Sequence, residues 1–150
     1  MNSTTGILKL PLIAAVVMVV VRVILERAGV PESVNRLLSV AAMHTLIVPI
    51  YIAVKLAQRK SDRPYGALIK LIALYAVLTR LMILPTYWAG RIFEWTQSRF
   101  DGLWGPEVGP FTGFVAVPLA TAAIWIVFSI VIGGVIGSIV LAVIRRLKPA

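Results

Sequence analysis

Cysteine is absent from this 150-residue chain, and histidine occurs once. No disulfide framework, thiolate metal site or cysteine nucleophile is therefore open to it. A zinc site built from several histidines of one chain is excluded as well. Acids are scarce, with 6 Asp and Glu against 15 Lys and Arg, a formal net charge of +9. Charged residues make up only 14% of the sequence, where a soluble domain carries about 25%. The signatures G-x-x-x-x-G-K-[ST], G-x-G-x-x-G, H-E-x-x-H and G-x-S-x-G are all missing, so no enzyme is expected. No repeat or low-complexity segment is visible.

What remains is apolar. Hydrophobic residues form 59% of the chain, and the mean hydropathy is +0.93. A helix needs about 20 mostly apolar residues to cross about 30 Å of hydrocarbon. Four stretches meet that length, at about residues 7–25, 34–56, 65–88 and 119–144. The expected fold is all-α, one polytopic membrane domain built as a four-transmembrane-helix bundle. Pro11 sits where a missing N–H costs little, and Gly29 and Pro31 follow the end of the first stretch. Arg22 interrupts that stretch and no small-x-small site follows it, so it reads as an uncleaved span rather than a signal peptide. The last stretch has no charge from Phe111 to Ile144. The segment before Pro118 is expected in the interface or as a kinked extension.

Basic residues mark cytoplasmic loops. Lys55, Arg59, Lys60, Arg63 and Lys70 cluster around the second connection, Arg145, Arg146 and Lys148 lie in the tail, and Lys9 lies on the N-terminal side of the first span. The other face nearly balances: Glu26, Arg27, Glu32 and Arg36 cancel, and Arg91, Glu94, Arg99, Asp101 and Glu107 leave one negative charge. Both termini are expected in the cytoplasm, in a plasma membrane of prokaryotic type. The cations are split among short loops on one face, which suits lipid headgroups and not nucleic acid.

The longest outer loop, about Ala89–Pro110, collects Trp95 and Trp104, with Trp88 just before it. These tryptophans are expected as interfacial anchors. A short amphipathic helix over about Arg91–Phe100 is expected on the membrane surface.

Polar residues inside a span cost about 2.5–3.5 kcal/mol each on insertion scales, and so point to function. Lys70 is close enough to the end of its span to snorkel. Arg22 lies about 7 Å deep, one turn before Glu26, with which it can pair at i,i+4. Arg80 lies about 12 Å from the outer end with no acid in any span core. A carbonyl freed by Pro49 or Pro85, a lipid phosphate, or an acid or anion from outside the chain are its three candidate partners. His44 lies about 10 Å deep and reads as a packing residue, with a haem, proton-transfer or quinone role as the alternative. His44, Arg80, Arg22, Tyr87 and Trp88 together outline a candidate outward pocket for a quinone, haem or lipid headgroup. Pro49 and Pro85 are expected to kink their helices.

In the last span Ser129, Gly133 and Gly137 are spaced by four, as are Gly134 and Ser138. Such a double small-residue ridge lets helix backbones approach closely, within the chain or between chains. The expected role is an accessory or structural membrane subunit that self-associates or docks in a larger complex; a small oligomeric channel or transporter is a lesser alternative.

Overall fold

The computed structural model describes residues 4–37, 43–59 and 63–147. Every element among them is helical. A 3-10 turn, Thr4–Leu8, leads into α1 (Lys9–Arg27), followed by the short α2 (Glu32–Leu37). A π-helical turn, Met43–Ile47, leads into α3 (Val48–Gln58). Then come α4 (Pro64–Ile92), a 3-10 turn at Ser98–Phe100, a π-helical turn at Thr112–Ala116 and α5 (Val117–Leu147).

Three helices are long and apolar enough to cross a membrane: Gly6–Arg27 with 22 residues, Pro64–Ile92 with 29 and Thr112–Leu147 with 36. The expected span at 34–56 is not one long helix among the described residues. It is represented by α2 and by the stretch Met43–Gln58, while residues 38–42 lie outside the described set. Pro49 lies inside a continuous helical stretch, because the turn Met43–Ile47 runs directly into α3 through a helical Ile47; its missing N–H therefore interrupts the hydrogen-bond ladder there. The other boundaries widen: α4 begins at Pro64, whose fixed φ suits a first turn, and α5 ends on Arg145 and Arg146, which complement the negative end of the helix dipole.

The stretch before Pro118 is a helical extension of α5 rather than a separate segment, because Thr112–Ala116 runs unbroken into α5. Pro118 cannot donate to the carbonyl of Phe114, four residues back. That freed carbonyl accepts instead from Trp88 Nε1 of α4, at 3.0 Å. One tryptophan thus satisfies a proline-opened turn and ties two long helices together. Trp88→Phe keeps the ring and removes the donor. It is expected to cost about 1 kcal/mol, read as a lowered unfolding midpoint in detergent.

α5 packs mainly on α4 and α3, and α1 packs on α4. The larger core joins Leu8, Ala15, Val48, Ile52, Leu56, Leu68, Ile72, Tyr75 and Leu141. A second core of Ile83, Tyr87, Trp95, Phe100 and Leu103 sits at the opposite end. Outward, α1 exposes Leu10, Ile13, Val17, Val20 and Ile24, and α5 exposes Ile124, Val127, Val131, Val135 and Ile139. Those spacings of three and four trace apolar helix stripes, apolar on the outside as a bilayer requires. Lys9, Lys55, Arg59, Arg63, Lys70, Arg145 and Arg146 gather at one end of the bundle, the basic end. Lys60 and Lys148 fall outside the described residues.

The expected surface helix over Arg91–Phe100 is not formed. α4 runs to Ile92 and stops there because Glu94 takes a left-handed φ of 49°. The Trp95 N–H then reaches back to the Gly90 carbonyl at 2.9 Å, the closing bond of a Schellman motif. The chain turns inward, so Phe100 and Leu103 have no exposed surface. The segment is a folded cap on the bundle end, not a helix lying on a surface.

Candidate functional site

The polar centre of the molecule lies at the cap end and is built around Glu26. This carboxylate is 5% exposed. Its Oε1 accepts from Arg22 Nε at 2.9 Å, the i,i+4 pair the sequence implied. Its Oε2 accepts from Arg99 at 2.6 Å, across from the cap. The last turn of α1 places Glu26, and the 3-10 turn at Ser98–Phe100 places Arg99. Burial pulls the Arg99 guanidinium below its usual pKa, and the charge of Glu26 opposes that shift.

Around the triad, Gln97 Nε2 donates to the Glu26 carbonyl at 3.4 Å. The Ser98 hydroxyl donates to the Glu32 carboxylate. Asn35 Nδ2 donates to the Val30 carbonyl at 3.1 Å. Arg27 stacks its guanidinium 5.2 Å from the centre of the Trp95 ring. Arg22, Glu26, Val30, Glu32, Asn35, Gln97, Ser98 and Arg99 enclose a partly open cavity of about 50 Å³.

Two glycines let the cap dock. A Cβ at Gly90 would stand 2.7 Å from the Phe100 ring, and one at Gly113 would collide with the Leu103 carbonyl. Arg91 clamps the same segment, donating to the carbonyls of Leu103 and Val108.

The structure divides the pocket expected from sequence. Arg22 belongs to the Glu26 cluster. Arg80 belongs to the α4–α5 contact, where its guanidinium lies 5.3 Å from the centre of the Trp125 ring. Its Nε is buried and has no hydrogen-bond partner among the described residues. The Trp125 face holds it through cation–π attraction. Arg80 and Tyr87 line one tight crevice with Pro118, Thr121 and Ala122. Tyr87 shares that crevice with Arg80 and meets the Phe100 ring of the cap edge-on at 5.7 Å. Trp88 is spent on Phe114. His44 falls in the turn Met43–Ile47, and its side chain lies outside the described residues. Of the tryptophans expected as anchors, Trp88 and Trp104 are exposed, whereas Trp95 is buried in the cap core.

The small-residue ridge packs partly within the chain. Ser129, Gly133, Gly134 and Gly137 are buried. A Cβ at Gly137 would stand 3.1 Å from Leu68 and 3.3 Å from the Pro49 carbonyl. Ser138 and Gly134 also floor an open groove with Ile69, Ile130, Val131, Val135 and Ile139.

Asn35, Gln97, Ser98 and Arg99 escaped the sequence reading. Glu26 and Arg99 are 73 residues apart, and no periodic pattern connects them. The available signal was Glu26 itself, an acid at the end of an apolar run, next to a loop bearing Arg99.

The chain is thus an all-helical protein with three helices long and apolar enough to cross a membrane. Neither a protein-family model, nor a curated protein, nor a solved structure matches it.

Proposed function

We propose that the chain is a small integral membrane subunit with a structural role, self-associating through α5. In this reading it crosses four times, the fourth crossing coming from the region of 34–56. The basic end and both termini face the cytoplasm of a prokaryotic plasma membrane, as the positive-inside bias favours. The observation that carries the reading is the groove over Gly134 and Ser138. It is a shallow, open face lined only by apolar and small residues, with Ile69 of α4 lying against Gly134. Its floor and most of its walls come from one helix. Two copies related by a two-fold axis therefore set Val131 and Val135 of each against the small residues of the other.

Ser138→Leu fills this groove from a half-buried position. It is expected to weaken association on the order of tenfold, by the loss of close backbone packing. Native mass spectrometry after mild detergent extraction reads this as a shift from a multiple of 16.3 kDa towards the single mass. A monomeric unaltered chain contradicts self-association, and co-purified larger proteins move the docking partner to another subunit.

The unpartnered Nε of Arg80 favours a second reading, a site for a quinone, haem or lipid headgroup formed with Tyr87 and His44. A visible spectrum of the purified protein tests the haem form directly.

A further inference from the structure

The two charged ends of the bundle use their cations in opposite ways. At the cap end the arginines turn to partners within the protein. Arg22 and Arg99 are bound to Glu26, Arg91 donates to the carbonyls of Leu103 and Val108, and Arg27 lies over the Trp95 ring. At the basic end Lys9, Arg59, Arg63, Lys70, Arg145 and Arg146 are exposed. The described acids, Glu26, Glu32, Glu94, Asp101 and Glu107, all belong to the cap end. Asp62 is the acid that the sequence places near the basic end, and it lies outside the described residues.

Packing brings these cations together. Leu8, Leu56, Leu68 and Leu141 share one buried cluster, and Lys9, Arg59, Lys70 and Arg145 stand within about one helical turn of them in turn. The ends of α1, α3, α4 and α5 therefore present one basic surface. That surface borders an apolar belt, since exposed Leu10 of α1, Ile69 of α4 and Val143 of α5 adjoin it. Tyr65, 42% exposed, lies in the first turn of α4 beside Arg63, and Lys55 lies 5.8 Å from the centre of the Tyr51 ring. Cations and tyrosines at the rim of an apolar belt suit the headgroup layer.

We propose that the basic end is a multivalent binding surface for the phosphates of anionic phospholipids, formed by cations from four helix ends acting together. Arginine grips phosphate oxygens through paired N–H donors, and lysine acts as a point charge. A zwitterionic lipid neutralises its phosphate with its own ammonium, whereas an anionic lipid leaves that charge to the protein. The apolar rim disfavours nucleic acid, which would leave it uncovered. Lipid bound across several helix ends also stabilises the bundle by linkage.

The test uses the delipidated full chain in detergent, offered phosphatidylglycerol or phosphatidylcholine with the same acyl chains. Both carry a phosphate; only the first has a net charge. Native mass spectrometry is expected to show about tenfold better retention of phosphatidylglycerol, falling steeply with salt. The same lipid raises the unfolding midpoint. The double variant Arg145→Gln, Arg146→Gln removes most of that preference, and Lys70→Gln, on a different helix, lowers it about fivefold. Thermal unfolding checks that each variant folds, and either one suffices. Arg27→Gln removes an equal charge at the cap end and leaves the preference unchanged. Equal retention of the two lipids, or an equal loss with Arg27→Gln, overturns the proposal, the second in favour of net charge alone. A short single-stranded oligonucleotide that displaces the lipid at equal phosphate concentration overturns the lipid assignment in favour of nucleic acid. The surface rests on the membrane reading, whose own failure shows separately as chain recovered in the soluble fraction.

Discussion

Glu26→Gln is expected to destabilise the protein by about 3 kcal/mol, measured as a shift in unfolding midpoint in detergent. Removing one member of a buried ion pair typically costs about 3–5 kcal/mol, because the remaining charge stays buried without compensation. Here two arginines are left, Arg22 and Arg99, with side chains 20% and 16% exposed against 2% for Glu26. Their residual solvent contact sets the expectation at the low end of that range. The isosteric amide keeps the packing, so the loss reports charge and hydrogen bonding rather than a cavity. Arg99→Met in the same background separates the two halves of the triad. If Arg99 is held mainly by Glu26, the double substitution costs less than the sum of the singles. A strictly additive result would show that the cap docks without the bridge.

Phe100→Ala is expected to cost about 3–5 kcal/mol, the usual loss for deleting a fully buried aromatic ring. Phe100 has no exposed surface. Its ring meets Tyr87 edge-on at 5.7 Å and Trp95 at 5.4 Å. It also fills the space above Gly90 that any side chain there would occupy. The loss falls on the cap first, because Phe100 joins it to α4. Trypsin reads this locally: cleavage after Arg99, slow while the guanidinium is bridged, becomes fast. Phe93→Ala is the control, since Phe93 is 68% exposed and its loss leaves the cap in place.

The helices were legible in the sequence because membrane crossing imposes one strong, local rule, a long apolar run. Runs at 7–25, 65–88 and 119–144 obey it and became α1, α4 and α5. The stretch at 34–56 obeys it by composition, and its described part from Met43 to Gln58 is helical through Pro49. The cap was misread for a physical reason. Amphipathic spacing over Arg91–Phe100 fits a surface helix, but the left-handed Glu94 and the close fit of Phe100 on Gly90 are tertiary facts. They override propensity and leave no periodic trace. The same holds for the site. Arg22 and Glu26 sit one helical turn apart and were readable; Arg99, Gln97 and Asn35 reach them only through the folded cap. Arg80 stood out in the sequence as a cation within an apolar run, whereas its contact with the Trp125 ring on α5 involves a residue type that charge-pair reasoning does not consider.

In the proposed topology the bundle crosses the membrane with its capped, charge-balanced end outside and its basic end in the cytoplasm. The absence of cysteine permits a clean test by single substitutions at exposed positions, Glu107→Cys in the cap and Gln58→Cys at the basic end. In intact cells a membrane-impermeant maleimide is predicted to label the cap variant fully, and the basic-end variant only after lysis. Labelling of both in intact cells, or of the basic end alone, would contradict the account.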